Sequence, residues 1–329
     1  DTLAQHLVES YTGPGAPTTG GGSGEDPLSF LPRTVWLRRD NVETPFELDK
    51  VTAAMATAVN KGDAKKGSDD VTFDPPLPII IKPSGGACGR HITVLRLACL
   101  SQLRDVLNEG YAESPSVVVQ QYVDRPLCHA GHKFDVRCYL LVLRSEKGLP
   151  VLGFYHDGYI RLCSREYEEV LPEEGAATGA LGATLDPSIH LTNCHIQWME
   201  DGFDPESDSV GGVLIRRPWA QFASLLETQL GHGSVTSVRA QMKNILTCTL
   251  TAPAIQSVLA SQPSCGQFGI YGVDFLVDEM GKVWLIEIGR GAAMRLSVGH
   301  LRELHTTMIA DMVDMVTEAQ PYLSKGDPV

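Results

Sequence analysis

GVDFLVDEMGKVWLIEIGRG, residues 272–291, reads as two strands joined by a tight turn. Val273 to Val277 and Val283 to Ile288 are rich in β-branched and aromatic residues, and Asp278, Glu279, Met280 and Gly281 between them are turn formers. A four-residue turn at 279–282 would set Asp278 opposite Val283 and Asp274 opposite Glu287. Directly opposed residues have their Cβ atoms about 5 Å apart. Two carboxylates that close repel unless a cation or a proton lies between them. The oxygen-seeking ion that suits such a pair beside phosphates is Mg²⁺, so Asp274 and Glu287 are the candidate metal ligands. Gly289 falls on the same face and brings no donor.

Upstream, KFDVRCYLLVL (133–143) alternates Lys133, Asp135 and Arg137 with Phe134, Val136 and Cys138. In a strand the three charges share one face and the apolar residues the other. Either the charges line a polar cleft, or they form a solvent-facing salt-bridge row on an edge strand; burial without such a role would be costly. Arg161, in YIRLCS (159–164), adds a second guanidinium. LPIIIK (77–82) is a buried strand ending in Lys82, followed by the glycine-rich turn Gly85–Gly89. Lysine plus glycine-rich turn can grip phosphate or be a plain structural turn, and the order of residues is not that of a P-loop. SVVVQQYV (116–123) is a strand entering a proline-containing connector: a core strand, or one whose backbone meets an adenine edge. His190 reads as structural, whereas Thr192 and Asn193 could bond a ribose or phosphate.

The rest of the 329 residues bounds the answer. A net charge of −13 argues against nucleic-acid binding, which runs on phosphate neutralisation. The acidic runs 166–174 and 200–208 read as solvated loops. No apolar run approaches the roughly 18 residues of a membrane span, and no signal peptide is present; no membrane partner is expected. Eight cysteines without a C-x-x-C pair suit a reducing, cytoplasmic compartment, free thiols and no zinc site. The chain opens on Asp1 and reads as a piece of a longer one. Residues 12–24 are low-complexity and 59–76 a mobile loop, while apolar spacing predicts helices over 101–110, 219–230, 238–250 and 301–316. Strands dominate the middle and helices the end without βαβ alternation, so the class is α+β and not a Rossmann unit. The expected division is a flexible segment 1–25, a first lobe 26–115 with the glycine-rich loop, a second lobe 116–320 with the metal site, and a tail 321–329.

In order, the chain shows FLPRTVWL (30–37), the strand lysine before a glycine-rich loop, QQYV (120–123), KFDVR, the arginine strand, HLTN (190–193) and the closing hairpin. Together these resemble the tubulin–tyrosine ligase and ligase-like family, from about Phe30 to Val316, with a likeness nearer its tyrosine-adding than its polyglutamylating members. The resemblance implies an ATP-grasp fold: two lobes with antiparallel sheets clasping a nucleotide cleft. It implies that Lys82, Gly86 and Gly89 hold ATP phosphates, and that Gln120, Gln121, Tyr122 and Val123 line the adenine pocket. Lys133, Asp135, Thr192 and Asn193 would lie near the ribose, Arg137 and Arg161 at the transferred phosphate and acceptor carboxylate, and Asp274 and Glu287 on Mg²⁺. The implied activity is an ATP-dependent ligation of a free amino acid, tyrosine above all, to a tubulin C-terminal tail, through an acylphosphate. The implied place is the cytoplasm and its cytoskeleton, cilium or flagellum included. Five positions depart from the family pattern: Gly289 where an asparagine would ligate metal, Arg290-Gly291 beside it, and His91 for a glycine in the phosphate loop, with Gly85 at a small polar position. They define the alternative, a catalytically weakened relative that serves as a microtubule- or axoneme-binding structural protein.

Overall fold

A computed structural model describes residues 29–39, 45–55, 71–83, 89–144, 150–168, 185–252, 255, 268–289, 292–294 and 299–325. The first sheet is antiparallel and contains β1 (Thr34–Arg38), β2 (Thr72–Pro83), β3 (Thr93–Cys99) and β4 (Ser116–Gln121), in the order β1-β4-β2-β3. The period-2 pattern of LPIIIK sorts its faces. Ile79 and Ile81 enter a core with Leu95, Leu97, Val117 and Val119, covered by helices α1 (Asp49–Met55) and α2 (Leu100–Gly110). Ile80 and Lys82 turn the other way, into a cleft.

Two expectations change here. The loop over 59–76 gives way at Thr72, which already pairs with Cys99; the ladder resumes at Leu77↔Leu97 after Pro75-Pro76, residues with no N–H to donate. Ser116–Gln121, expected to open the second lobe, is an inner strand of the first sheet, paired with β1 and β2. Its apolar face fills the first core, a choice of sheet that local pattern does not encode.

The second sheet is built on β6 (His132–Arg144), flanked by β5 (Cys128–His129), β7 (Pro150–Phe154), β8 (Tyr159–Leu162), β12 (Arg216–Pro218), β13 (Phe268–Val277) and β14 (Val283–Gly289). Its path runs β12-β8-β6-β13-β14, so KFDVR lies at the centre of the sheet and not on an edge. Between β8 and β12 come the short helices α3 (Pro187–His190) and α4 (Cys194–Gln197) and a ribbon of β9 (Phe203–Asp204), β10 (Ser209–Val210) and β11 (Val213–Leu214). Phe134, Val136, Cys138, Leu140 and Val142 pack under α5 (Trp219–Leu230) and α6 (Ser234–Thr251), against Phe222, Leu226, Met242 and Ile245. The opposite face changes character along the strand. Tyr139, Leu141 and Leu143 lie under α7 (Gly299–Lys325), which runs through most of the expected tail, while Lys133 and Asp135 remain for the cleft, with Arg137 buried beside them.

The hairpin β13–β14 holds the expected pair Asp274↔Glu287 by a different route. Val277 pairs with Val283, so the turn is one residue longer than assumed, and a bulge beyond Phe275↔Leu285 takes up Ile286 and restores the register. Such a bulge sets two residues against one and re-aims a side chain. The described cysteines are free thiols. Among the described residues no helix is long and apolar enough to cross a membrane. Residues 1–28, the Gly85–Cys88 part of the glycine turn with Gly86, and residues 326–329 lie outside the described residues.

Phe222 is fully buried, edge-to-face with both Phe134 and Trp219. Phe222→Ala should cost about 3–5 kcal/mol of unfolding free energy, read by urea denaturation.

Candidate functional site

Both sheets contribute side chains to one half-open cleft. The first sheet supplies Ile80, Lys82, Gln120 and Gln121, and the connector after it Tyr122 and Val123; the second supplies Lys133, Asp135, Arg161, Asp274, Leu276, Ile286 and Glu287. Pro32, Ile92, His190, Leu191, Thr192 and Asn193 close the sides. The expected site residues therefore converge, with three qualifications. Gly86 is outside the described residues. Gly89 does not line the cleft: at φ +71° it packs where a Cβ would meet Ile196 Cδ1 at 2.8 Å. Arg137 lies behind Asp274 and outside the cleft lining.

Strand register explains the electrostatics of the floor. One row across the second sheet runs Arg216, Arg161, Asp135, and the next Tyr159, Arg137, Asp274, Glu287. Arg161 bonds both oxygens of Asp135 and, through Nη2, reaches Asp274 Oδ2 at 2.7 Å. Arg137 grips Asp274 from the other side through Nε and Nη2. All four side chains are buried. Burial favours the neutral acid, yet the two guanidiniums hold the Asp274 carboxyl well below the usual carboxylate range. Gly272 makes this packing feasible, since a Cβ there would meet Arg137 Nη1 at 3.2 Å.

On the wall, Lys82 Nζ donates to Gln120 Oε1 at 2.9 Å, and Gln120 Nε2 donates to Thr34 Oγ1. Lys133 Nζ donates to Tyr122 Oη at 2.7 Å and to the His190 carbonyl at 3.0 Å, and lies over the Tyr122 ring. Burial pushes the Lys133 ammonium down to about 8, and nearby Lys82 pushes the same way. His190 is a satisfied structural histidine, with Nδ1 3.0 Å from Tyr122 Oη and its pKa lowered to about 4 by burial and Lys133. Thr192 Oγ1 donates to Asp135, and the Asn193 side chain caps α4, accepting from His195 N. Gln121 N and Tyr122 N are committed to the Arg33 and Pro78 carbonyls. His91, exposed at the β2–β3 turn, has φ +57°, the left-handed region in which a side chain is strained.

Sequence reasoning missed the Asp208–Arg216 pair. Asp208, placed among solvated acids, is buried, accepts from Arg216 Nε at 2.7 Å and Nη2 at 2.8 Å, and takes φ +56°. The next basic position in the sheet row, Arg216 beside Arg161, was the signal that could have found it.

The cleft fits a nucleoside triphosphate: apolar walls for a base and two lysines with N–H groups to spare for phosphate oxygens. It does not make a magnesium site of several protein ligands. Both Asp274 oxygens are engaged by arginine, and no group of three Asp, Glu, His or Cys side chains could hold a metal among the described residues. Register sets Asp274 opposite Glu287 as expected, and here the Asp274 carboxylate is paired with the Arg137 and Arg161 guanidiniums.

Two antiparallel lobes clasping a charged cleft are the ATP-grasp arrangement. A model of the tubulin-tyrosine ligase family matches residues 33–324, and the chain belongs to that family. It is similar to a probable alpha-tubulin polyglutamylase, Ttll1, of Tetrahymena thermophila (29% identical, covering 74% of this chain and 55% of the relative). It is also similar to the tubulin monoglycylase TTLL3 of Danio rerio (27%, 73% and 28%) and the tubulin polyglutamylase TTLL7 of Mus musculus (29%, 64% and 21%). The chain thus spans about half or less of the length of these relatives. All three are named for glutamate or glycine transfer, which lends no support to tyrosine.

Three outcomes are expected. With a pKa near 8, Lys133 loses its charge as pH rises through that value, so inorganic tripolyphosphate should bind more weakly at pH 9 than at pH 7 by calorimetry, and Lys133→Met should flatten the profile. Between about 8 and 10.5 the folded chain holds fewer protons at Lys133 than the unfolded chain, so this group makes unfolding free energy rise with pH. Asp274→Ala strands the buried Arg137 guanidinium and takes one partner from Arg161, and should cost about 3–5 kcal/mol in urea denaturation.

Proposed function

We propose that this chain carries the ligation site of an ATP-dependent carboxylate–amine ligase that adds glutamate or glycine to a tubulin C-terminal tail. The observation that carries this reading is the convergence of Lys82, Lys133 and Arg161 on one cleft, with Arg137 locked beside them through Asp274. Family membership and relatives named for tubulin glutamylation and glycylation supply the reaction class. A tail carboxylate takes the γ-phosphoryl group of ATP and becomes an acylphosphate; the amine of the incoming amino acid then attacks the carbonyl, and phosphate leaves. Lys82 and Lys133 hold the phosphate chain, and Val123 offers its backbone to the base. Arg161, backed by Arg137, stabilises charge building on the transferred group. Glu287, exposed opposite Asp274, is the side chain free to meet a cation that arrives with the phosphates. The work site is the cytoplasm and its cytoskeleton, cilium or flagellum included.

A second reading, a relative that keeps the cleft but serves as a microtubule-binding structural protein, is favoured by His91 in a left-handed turn and by Gly289, paired with Gly272 and donor-free. Purified tubulin, ATP and radiolabelled glutamate, glycine or tyrosine separate the two. The ligase reading expects incorporation of glutamate or glycine, lost by a factor of a hundred or more (on the order of 3 kcal/mol) in Arg161→Ala. ATP-induced thermal stabilisation without incorporation supports the structural reading, and incorporation of tyrosine alone overturns the choice of amino acid.

A further inference from the structure

The carboxylates of the cleft floor are already engaged. Lys82, Lys133 and Arg161 line the cleft with Asp135, Asp274 and Glu287, and Arg137 adds a further cation behind Asp274. Asp135 is spoken for by Arg161 and Thr192, and Asp274 by both arginines. Drawing Asp274 onto a divalent cation would break three charge-assisted hydrogen bonds and set two guanidiniums against that cation, so like charges would meet in a buried site. Glu287 is left, and it is exposed, where a single ion pair is weak. The next position on its face is Gly289, opposite Gly272, so neither strand places a further donor there. Lys82 and Lys133, by contrast, are held by the wall with N–H groups unspent.

We infer that this cleft binds nucleoside triphosphate without requiring a divalent cation: the phosphates are neutralised by the chain's own lysines and arginines, and the Asp274 carboxylate is a positioning group for the two guanidiniums. The inference rests on the reading of the cleft as a nucleotide site. Calorimetry of the whole chain with a non-hydrolysable ATP analogue, in saturating MgCl₂ and separately in EDTA, tests it. The expected result is a Kd that agrees within about threefold between the two buffers. Gly289→Asp, which adds a carboxylate beside Glu287, should make Mg²⁺ tighten binding about tenfold or more, with circular dichroism confirming that the variant is folded. A wild-type Kd that Mg²⁺ improves about tenfold or more overturns the inference and leaves the nucleotide reading standing. No binding in either buffer overturns both.

Discussion

The buried quartet Asp135–Arg161–Asp274–Arg137 is the constraint on which the rest of the structure depends. Four ionised groups removed from water are stable only when each is bonded by the others, and removing one strands its partners. Adjacent strands β8, β6 and β13 must therefore hold a common register, since a one-residue slip would turn a charge into the apolar face. The flanking architecture follows from that demand. Helices α5 and α6 seal the back of the sheet, α7 covers the apolar half of the front, and the charged half is left for the first lobe to roof.

Much of this was legible in residue order. The alternation of KFDVRCYLLVL marks one charged and one apolar face, and three charges on one side of an otherwise apolar strand already favour a cleft. The closing hairpin was legible as well, but its pairing of Asp274 with Glu287 rests on two features that cancel: a turn longer by one residue and a bulge at Ile286. Propensity does not report a bulge, because the extra residue is an ordinary β-former. Nor does it report which sheet a strand joins. SVVVQQ would suit either lobe, and its place between β1 and β2 is settled by packing against Leu37 and Ile79.

Side-chain partners were the least legible part. Gln120 spends both amide atoms on Lys82 and Thr34, and Asn193 spends its side-chain oxygen on the α4 cap. Asp208 sits in a run of acids typical of a solvated loop, yet it is buried against Arg216, which also stacks on Trp198. A carboxylate's neighbours in space decide its role, and those neighbours come from strands remote in sequence.

The crossing between the lobes carries a mechanical consequence. The chain leaves β4 at Gln121 and is stitched on both sides within six residues: Tyr122 N donates to the Pro78 carbonyl of the first sheet, Leu127 N donates to the Val277 carbonyl of the second, and the Arg125 carbonyl accepts from Glu279 N in the closing hairpin. A second tie lies at β3, where Leu185 N donates to the Val94 carbonyl. Lys82, four residues beyond Pro78 and about 13 Å along a strand, is thus carried on a sheet fastened at two places, so a substitution that loosens one of them leaves the other to hold the lysine over the arginine floor.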